Sequence, residues 1–358
     1  MSKIFVASTG QNVGKTTCCL GLFSGLLKRF PSVGFIKPVG QEWVEAKTGK
    51  KVDKDILLFQ DHFKLESSEM SPVLLPSGFT REVLDGKIDL SGLGGRIESA
   101  FGKISSEHPF TLIEGTGHMG VGSLIDLNNA QVAKRLGARM VLVVPGGVGS
   151  AFDQIVLNQA LCKVHGVELA GVILNKVLPE KASMVKGYME KALAKIEVPL
   201  LGCVSYLPFL SSLTLQDFEK LFKTELIAGE GARLFHYEKI RLIATSVEVF
   251  EKTIAPDQLL ITHGAREDVI IALLKRVLQD PSLNIALILT GSPPREPILN
   301  QIKEAGLACL LTSEDSFGAM KKISGHVAKI AFNDREKIEE AIQLVERAVD
   351  FDRLIQNL

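Results

Sequence analysis

Residues 8–17, Ser-Thr-Gly-Gln-Asn-Val-Gly-Lys-Thr-Thr, carry the residue types and spacing of a phosphate-binding loop, with Thr9 where the pattern G-x-x-x-x-G-K-[ST] opens on glycine. The backbone N–H groups of Gly10, Gln11, Asn12, Val13, Gly14, Lys15, Thr16 and Thr17 would converge on phosphate oxygens at the start of a helix. Lys15 would add charge at the β- and γ-phosphates, and the Thr16 hydroxyl would hold a magnesium ion bridging them. Gly10 and Gly14 still permit close backbone approach, so Thr9 weakens the formal pattern more than the physics.

Other candidates end apolar runs. Glu114 closes "FTLIEG", and a charged residue there, beside a phosphate loop, needs a partner. Asp53 and Asp55 in "KVDKDILLFQ" precede a helical pattern; Asp55 is a candidate magnesium ligand, whereas Asp53 reads first as a helix cap or solvated aspartate. Lys37 ends "VGFIKP", where Pro38 restrains its direction, and there it could stabilise an anionic substrate or a transferring phosphoryl group. Weaker signals are His118 in "GTGHMGVGS", which reads as a structural or exposed histidine, Cys18 and Cys19, which read as packing residues, and His263 with Arg266 in "ITHGARED", where a turn and salt bridge compete with an anion site.

These residues need elements to hold them. "KIFVAS", "VGFIKP", "FTLIEG", "RMVLVVPG" and "LAGVILNKV" are apolar runs separated by helical patterns such as "TTCCLGLFSGLLKRF" and the amphipathic "DQIVLNQALCKVHG". The alternation predicts a doubly wound α/β domain with a mostly parallel sheet covered on both faces. A second alternating set follows in "KIRLIATS", "DQLLITHG", "NIALILTGS", "LACLLTS" and "VAKIAFND", with helices over "REDVIIALLKRVLQD" and "EPILNQIKEAG". The expected organisation is a nucleotide-binding domain over 1–209 and a smaller α/β domain over 213–358, in keeping with a prior of about 150 residues per domain.

Composition excludes other classes. With 41 basic and 41 acidic residues there is no net field to draw in nucleic acid or anionic lipid, so neither a nucleic acid nor a membrane is expected as a partner. Five cysteines without a C-x-x-C pair point to a reducing compartment, and the absence of a signal peptide or a long apolar span points to the cytoplasm.

With these residues placed, residues 1 to about 209 resemble the dethiobiotin synthetase group of P-loop proteins, and most closely the dethiobiotin-synthetase-like N-terminal region of long phosphotransacetylases. The resemblance rests on "STGQNVGKTT", "FIKPVG", "DKDILLFQ", "LIEGTGHMGVGS", "GVILNKV" and "VPLLGCVSYLP", in that order. Residues from about 213 resemble the DRTGG-type domain that follows in those proteins, through "LLITHGARED", "ALILTGSPP" and "CLLTSEDSFGAM", although "HGARED" stands where the family often has G-D-R. No acyltransferase domain is expected within these 358 residues. The resemblance implies ATP and Mg2+ as cofactors, Lys15 and Thr16 on the phosphates and metal, Asp55 and Glu114 as further magnesium ligands, Asn175 near the adenine, and Lys37 at the substrate. It also implies a homo-oligomer. Gln41 replaces a small serine-containing stretch of the dethiobiotin synthetases, which argues against their diamino acid as substrate. Gly10 occupies the position of the extra lysine of partitioning ATPases, so dimerisation through that lysine is not supported.

Three functions compete on this reading. One is a nucleotide-responsive regulatory module that senses a small metabolite or docks on an enzyme such as an acyltransferase. The second is an ATP-dependent ligase that activates a carboxylate or carbamate, with Lys15 and Lys37 as its catalytic lysines. The third is a scaffold whose loop has lost its ligand. Retention of the phosphate-site residues beside loss of the substrate-site pattern favours the first.

Overall fold

The computed structural model describes residues 1–45, 49, 51–66 and 69–358. The apolar runs of the first half form strands β1 (Ser2–Ser8), β2 (Val33–Ile36), β3 (Phe110–Glu114), β4 (Arg139–Pro145), β5 (Leu169–Val177) and β6 (Leu200–Ser205). They make one parallel sheet in the order β6-β5-β4-β1-β3-β2. The runs are continuously apolar because both faces are covered: every residue of β2 and β3 is buried. Helices α1 (Lys15–Leu27), α2 (Lys54–Phe63), α3 (Leu93–Glu107), α4 (Asn129–Arg135), α5 (Gly149–Val164) and α6 (Ala182–Ala194) supply the crossovers. Succession from β1 to β2 runs past β3 in one direction, and from β3 to β4 past β1 in the other, so the sheet reverses at β1 and β3. Ligands of open α/β sheets lie beyond the carboxyl ends of strands at such a reversal, and those ends carry the phosphate-loop sequence, Glu114 and Lys37.

A second compact unit spans 208–329. Its strands β7 (Leu226–Ala228), β8 (Lys239–Leu242), β9 (Gln258–His263), β10 (Ala286–Thr290) and β11 (Ala308–Thr312) are ordered β7-β11-β10-β9-β8, parallel except for β7. Helix α7 (Leu215–Phe222) starts from a reciprocal Thr214–Asp217 capping box and packs on one face of this sheet; α8 (Glu267–Gln279) and α9 (Glu296–Glu304) pack on the other. Helix α10 (Ser316–Gly325) lies on the α7 side, through Ile323.

Two expectations change. "VAKIAFND" is not a strand: β7 already occupies the edge beside β11, and Val327 and Phe332 remain exposed. The chain after 329 does not belong with the second unit either, so the expected domain 213–358 is cut short. Residues 330–358 return to the first unit as α11 (Arg335–Ala348) and α12 (Phe351–Gln356).

The seat for this return is a pair of glycines on α1. A Cβ at Gly21 would lie 2.4 Å from the Val345 Cβ, and one at Gly25 only 2.1 Å from the Phe351 ring. Lys28 pairs with Glu346 at 2.6 Å, and the Arg29 guanidinium sits 4.5 Å from the centre of the Phe351 ring. Gly25→Val should therefore lower the stability of the first unit by about 1–3 kcal/mol through overpacking, read as an earlier thermal transition. Among the described residues no helix is long and apolar enough to cross a membrane.

Candidate functional site

The loop after β1 needs unusual backbone at only two places, Asn12 with φ 60° and Gly14 with φ 93°. Thr9 is not among the positive-φ residues, so its Cβ carries no conformational penalty. Its N–H donates to the Val143 carbonyl at 3.1 Å, and its hydroxyl donates to Gln154 Oε1 of α5 at 2.7 Å. The far side of the loop is braced from the end of β5: Asn175 Nδ2 donates to the Val13 carbonyl at 2.7 Å and Lys176 Nζ to the Asn12 carbonyl at 2.9 Å. A Cβ on Gly14 would lie 2.1 Å from Asn175 Nδ2, which is why that position must be glycine. Helix α1 begins at Gly14 without a side-chain cap and with no acidic residue in its first turn, leaving its N-terminal dipole open toward an anion.

Glu114 is fully buried at the end of β3. Its Oε1 accepts from Lys15 Nζ at 3.1 Å and from the Thr16 hydroxyl at 2.9 Å. Its Oε2 is buried with no hydrogen-bond partner among the described residues, a costly arrangement that a cation or its water shell would relieve. Burial raises the Glu114 pKa, with Lys15 opposing the rise.

Lys37 lies at the end of β2, 7% exposed, with Asp53 Oδ1 at 2.7 Å and Asp55 Oδ2 also bonded to it. Burial works against its charge, yet the carboxylates of Asp55, Glu114 and Asp53 outweigh burial and raise its pKa. Asp53, 1% exposed, caps α2 by accepting from the Asp55 N–H at 3.0 Å and also accepts from the Gln41 N–H at 3.1 Å. The cap was legible in the sequence, but the pairing with Lys37 was not, because it joins residues of different elements. The D-x-D spacing, which puts two carboxylates at one helix start, was the available signal. Gln154, which fixes Thr9, had none.

Lys15, Thr16, Glu114, Lys37 and Asp55 thus lie along adjacent strand ends, in two bonded groups. Asn175 lies against the loop backbone. Among the described residues no group of three or more His, Cys, Asp or Glu forms a metal cluster, so any cation here would share its shell with the Thr16 hydroxyl and ligand oxygens. The donor set fits Mg2+: hard oxygens at Thr16, Glu114 and Asp55 beside a helix start that suits phosphate. Glu114→Gln would keep the Thr16 bond and remove the charge. It should abolish the Mg2+ dependence of any nucleotide binding while leaving the fold intact, as checked by titrations with and without Mg2+.

Beside this set is a cavity of about 290 Å3, walled by Phe79, Val121, Leu124 and Ile125, with Gln41 and Arg81 as polar members. Arg81 has no ion pair or hydrogen bond from its side chain among the described residues. The other signals stay outside. His118 accepts the Gly120 N–H in an exposed turn, and Cys18 and Cys19 pack in the α1 core, where burial pushes the Cys18 thiol up to about 12. In the second unit His263 accepts the Ala265 N–H at 3.1 Å and Arg266 pairs with Asp268 at 2.9 Å, the turn and salt bridge.

Comparison with known proteins shows the family of each half of the chain. The family model AAA_26, described as an AAA domain, matches residues 2–214, and the model of the DRTGG domain matches residues 219–326. Phosphate acetyltransferase of Pseudomonas aeruginosa is 26% identical over 377 residues, covering 99% of this chain and 52% of the relative; that of Synechocystis is 23% identical over 380 residues, covering 100% and 52%. The chain therefore spans about half the length of these relatives. The ATP-dependent dethiobiotin synthetase BioD of Nitrosopumilus maritimus is 25% identical over 226 residues, covering 63% of this chain and 97% of the relative.

Proposed function

We propose, from the premise that this chain belongs to the AAA_26 family and carries a dethiobiotin-synthetase-like P-loop domain followed by a DRTGG domain, that it is a regulatory protein binding ATP with Mg2+. The observation that carries the proposal is the buried, unpartnered Glu114 Oε2 next to Lys15, Thr16 and the uncapped start of α1. Bound Mg2+ would supply charge neutralisation between the phosphate oxygens and the carboxylates.

The residues divide the work. Lys15 exchanges its bond to Glu114 for the β- and γ-phosphates, while the amides from Gly10 to Thr17 hold the phosphate chain. Thr16, Glu114 and Asp55 would hold the cation, and Lys37, bonded to Asp53 and Asp55, would be the positive group facing a substrate anion. Asn175 keeps the loop in its binding shape by holding the Val13 carbonyl, at the side where the base would lie. In the cavity, Arg81 offers an unpaired guanidinium to a small anionic metabolite whose apolar part meets Phe79 and Leu124. A partner acyltransferase is a natural recipient of such a signal, because the relatives that match the whole chain are phosphate acetyltransferases twice its length.

One observation favours a second reading, a ligase activating a carboxylate or carbamate: Lys37 and the cavity share the segment 37–41, so a substrate anion and the γ-phosphate could meet at one lysine. Phosphate release from MgATP, screened across small carboxylates and amines, decides between them. The regulatory reading expects saturable binding with no turnover above the Lys15→Ala background; sustained release dependent on one small molecule would replace it with the ligase.

A further inference from the structure

Irregular backbone is costly to bury unless each amide finds a partner. The turn that follows Glu114, residues 115–118, is nonetheless buried at Gly115 and Thr116. Its partner is Asn129, 3% exposed, at the start of α4. Asn129 Oδ1 accepts the Thr116 N–H at 2.9 Å, while Nδ2 donates to the carbonyls of Thr116 and His118, each at 2.9 Å. One side-chain amide thus completes both backbone groups of Thr116, and one N–H facing two carbonyls fixes which way that amide points. Asn128 beside it does separate work, capping α4 by accepting the Gln131 N–H at 2.9 Å. The residue after Glu114 is fitted to the same amide, since a Cβ at Gly115 would lie 2.5 Å from Asn129 Oδ1.

Among the described residues the Asn129 side chain makes no hydrogen bond to Lys15, Thr16, Glu114 or Lys37, but the turn it grips reaches both groups of the site. On one side the Gly117 carbonyl accepts from the Ser8 hydroxyl at 3.0 Å, and that hydroxyl is shared with the Gly10 carbonyl of the phosphate loop at 2.9 Å. Ser8 is buried, so water cannot take over either bond. On the other side the Thr116 hydroxyl donates to the Val39 carbonyl, two residues beyond Lys37. We propose that Asn129 is a positioning residue of the nucleotide site: by pinning residues 115–118 it presents the Gly117 carbonyl to Ser8, and so sets where Gly10 and the amides after it stand, without touching the ligand.

The proposal rests on the reading of this loop as a MgATP site, and calorimetric titration of MgATP into the full chain separates the two. Asn129→Ala should weaken binding about tenfold and Ser8→Ala about fivefold. The two together should weaken it about tenfold, short of the roughly fiftyfold product, because both cut one chain of bonds. Asparagine that only supports the fold would lower the thermal midpoint and leave the affinity at the wild-type value, and effects that multiply would put the two residues on separate routes. Either result would overturn the positioning role with wild-type binding intact. Should Asn129→Ala fail to fold, Ser8→Ala, which loses a single buried oxygen, decides alone: wild-type affinity in that variant overturns the role. No heat from MgATP in wild type would overturn the binding reading itself, and this role with it.

Discussion

Lys37→Ala protein, heated without nucleotide, should lose its first-unit transition about 6–12 °C below wild type, at ~2–4 °C per kcal/mol for a unit of this size. The substitution removes the cation from between two carboxylates. Asp53 is 1% exposed and keeps, among the described residues, the N–H donors of Asp55 and Gln41. Breaking a buried pair from one side costs about 3–5 kcal/mol, and the lower figure applies because Asp55, 21% exposed, keeps access to water. Lys37→Ala with Asp53→Asn should recover most of the loss, since asparagine retains the cap and leaves no uncompensated charge. Lys28→Ala, which breaks the exposed pair with Glu346, should move the transition by under ~1 kcal/mol. An unchanged midpoint in Lys37→Ala would mean that the lysine is not the counter-ion of Asp53.

The second large effect is on binding. Gly14→Val should weaken MgATP by at least about 100-fold, or ~2.7 kcal/mol, with the sheet still folded by circular dichroism. Gly14 holds φ 93°, where a β-branched residue is strained, and any Cβ there collides with the Asn175 amide. Asn175 would then release the Val13 carbonyl, and the loop would lose the brace that aims its amides. Thr9→Gly, which restores the formal glycine of the motif, should change binding less than about threefold, under 1 kcal/mol, because the position has no positive φ to satisfy. Equal sensitivity at residues 9 and 14 would show that loop geometry is not what sets the requirement for glycine.

That contrast also shows where the sequence was legible. The strand, loop and helix of residues 2–27 could be read because a continuous apolar run, two glycines and a helical period follow one another within a few residues. Lys37 and Glu114 could be placed because each is the charged residue at the carboxyl end of a buried apolar run, and a parallel sheet brings such ends together. Thr9 was harder, since the motif records a residue type while the backbone demands a torsion angle, and only the structure gives the angle.

The remaining differences are long-range. Neither α11 nor the rest of the Phe351 ring on Gly25 was read from the sequence, because the contact spans more than three hundred residues. "VAKIAFND" has the composition of a strand and lacks only a place in the sheet, which depends on β7 having taken the edge.

The most direct test of the central claim, that the phosphate loop with Thr9 is a working nucleotide site, is a calorimetric titration of MgATP into wild type and into Lys15→Ala. The substitution removes the lysine charge without touching the glycines of the loop. Wild type should give saturable heat with one site per chain, and Lys15→Ala none. Absence of heat in both proteins, or equal affinity in both, would contradict it.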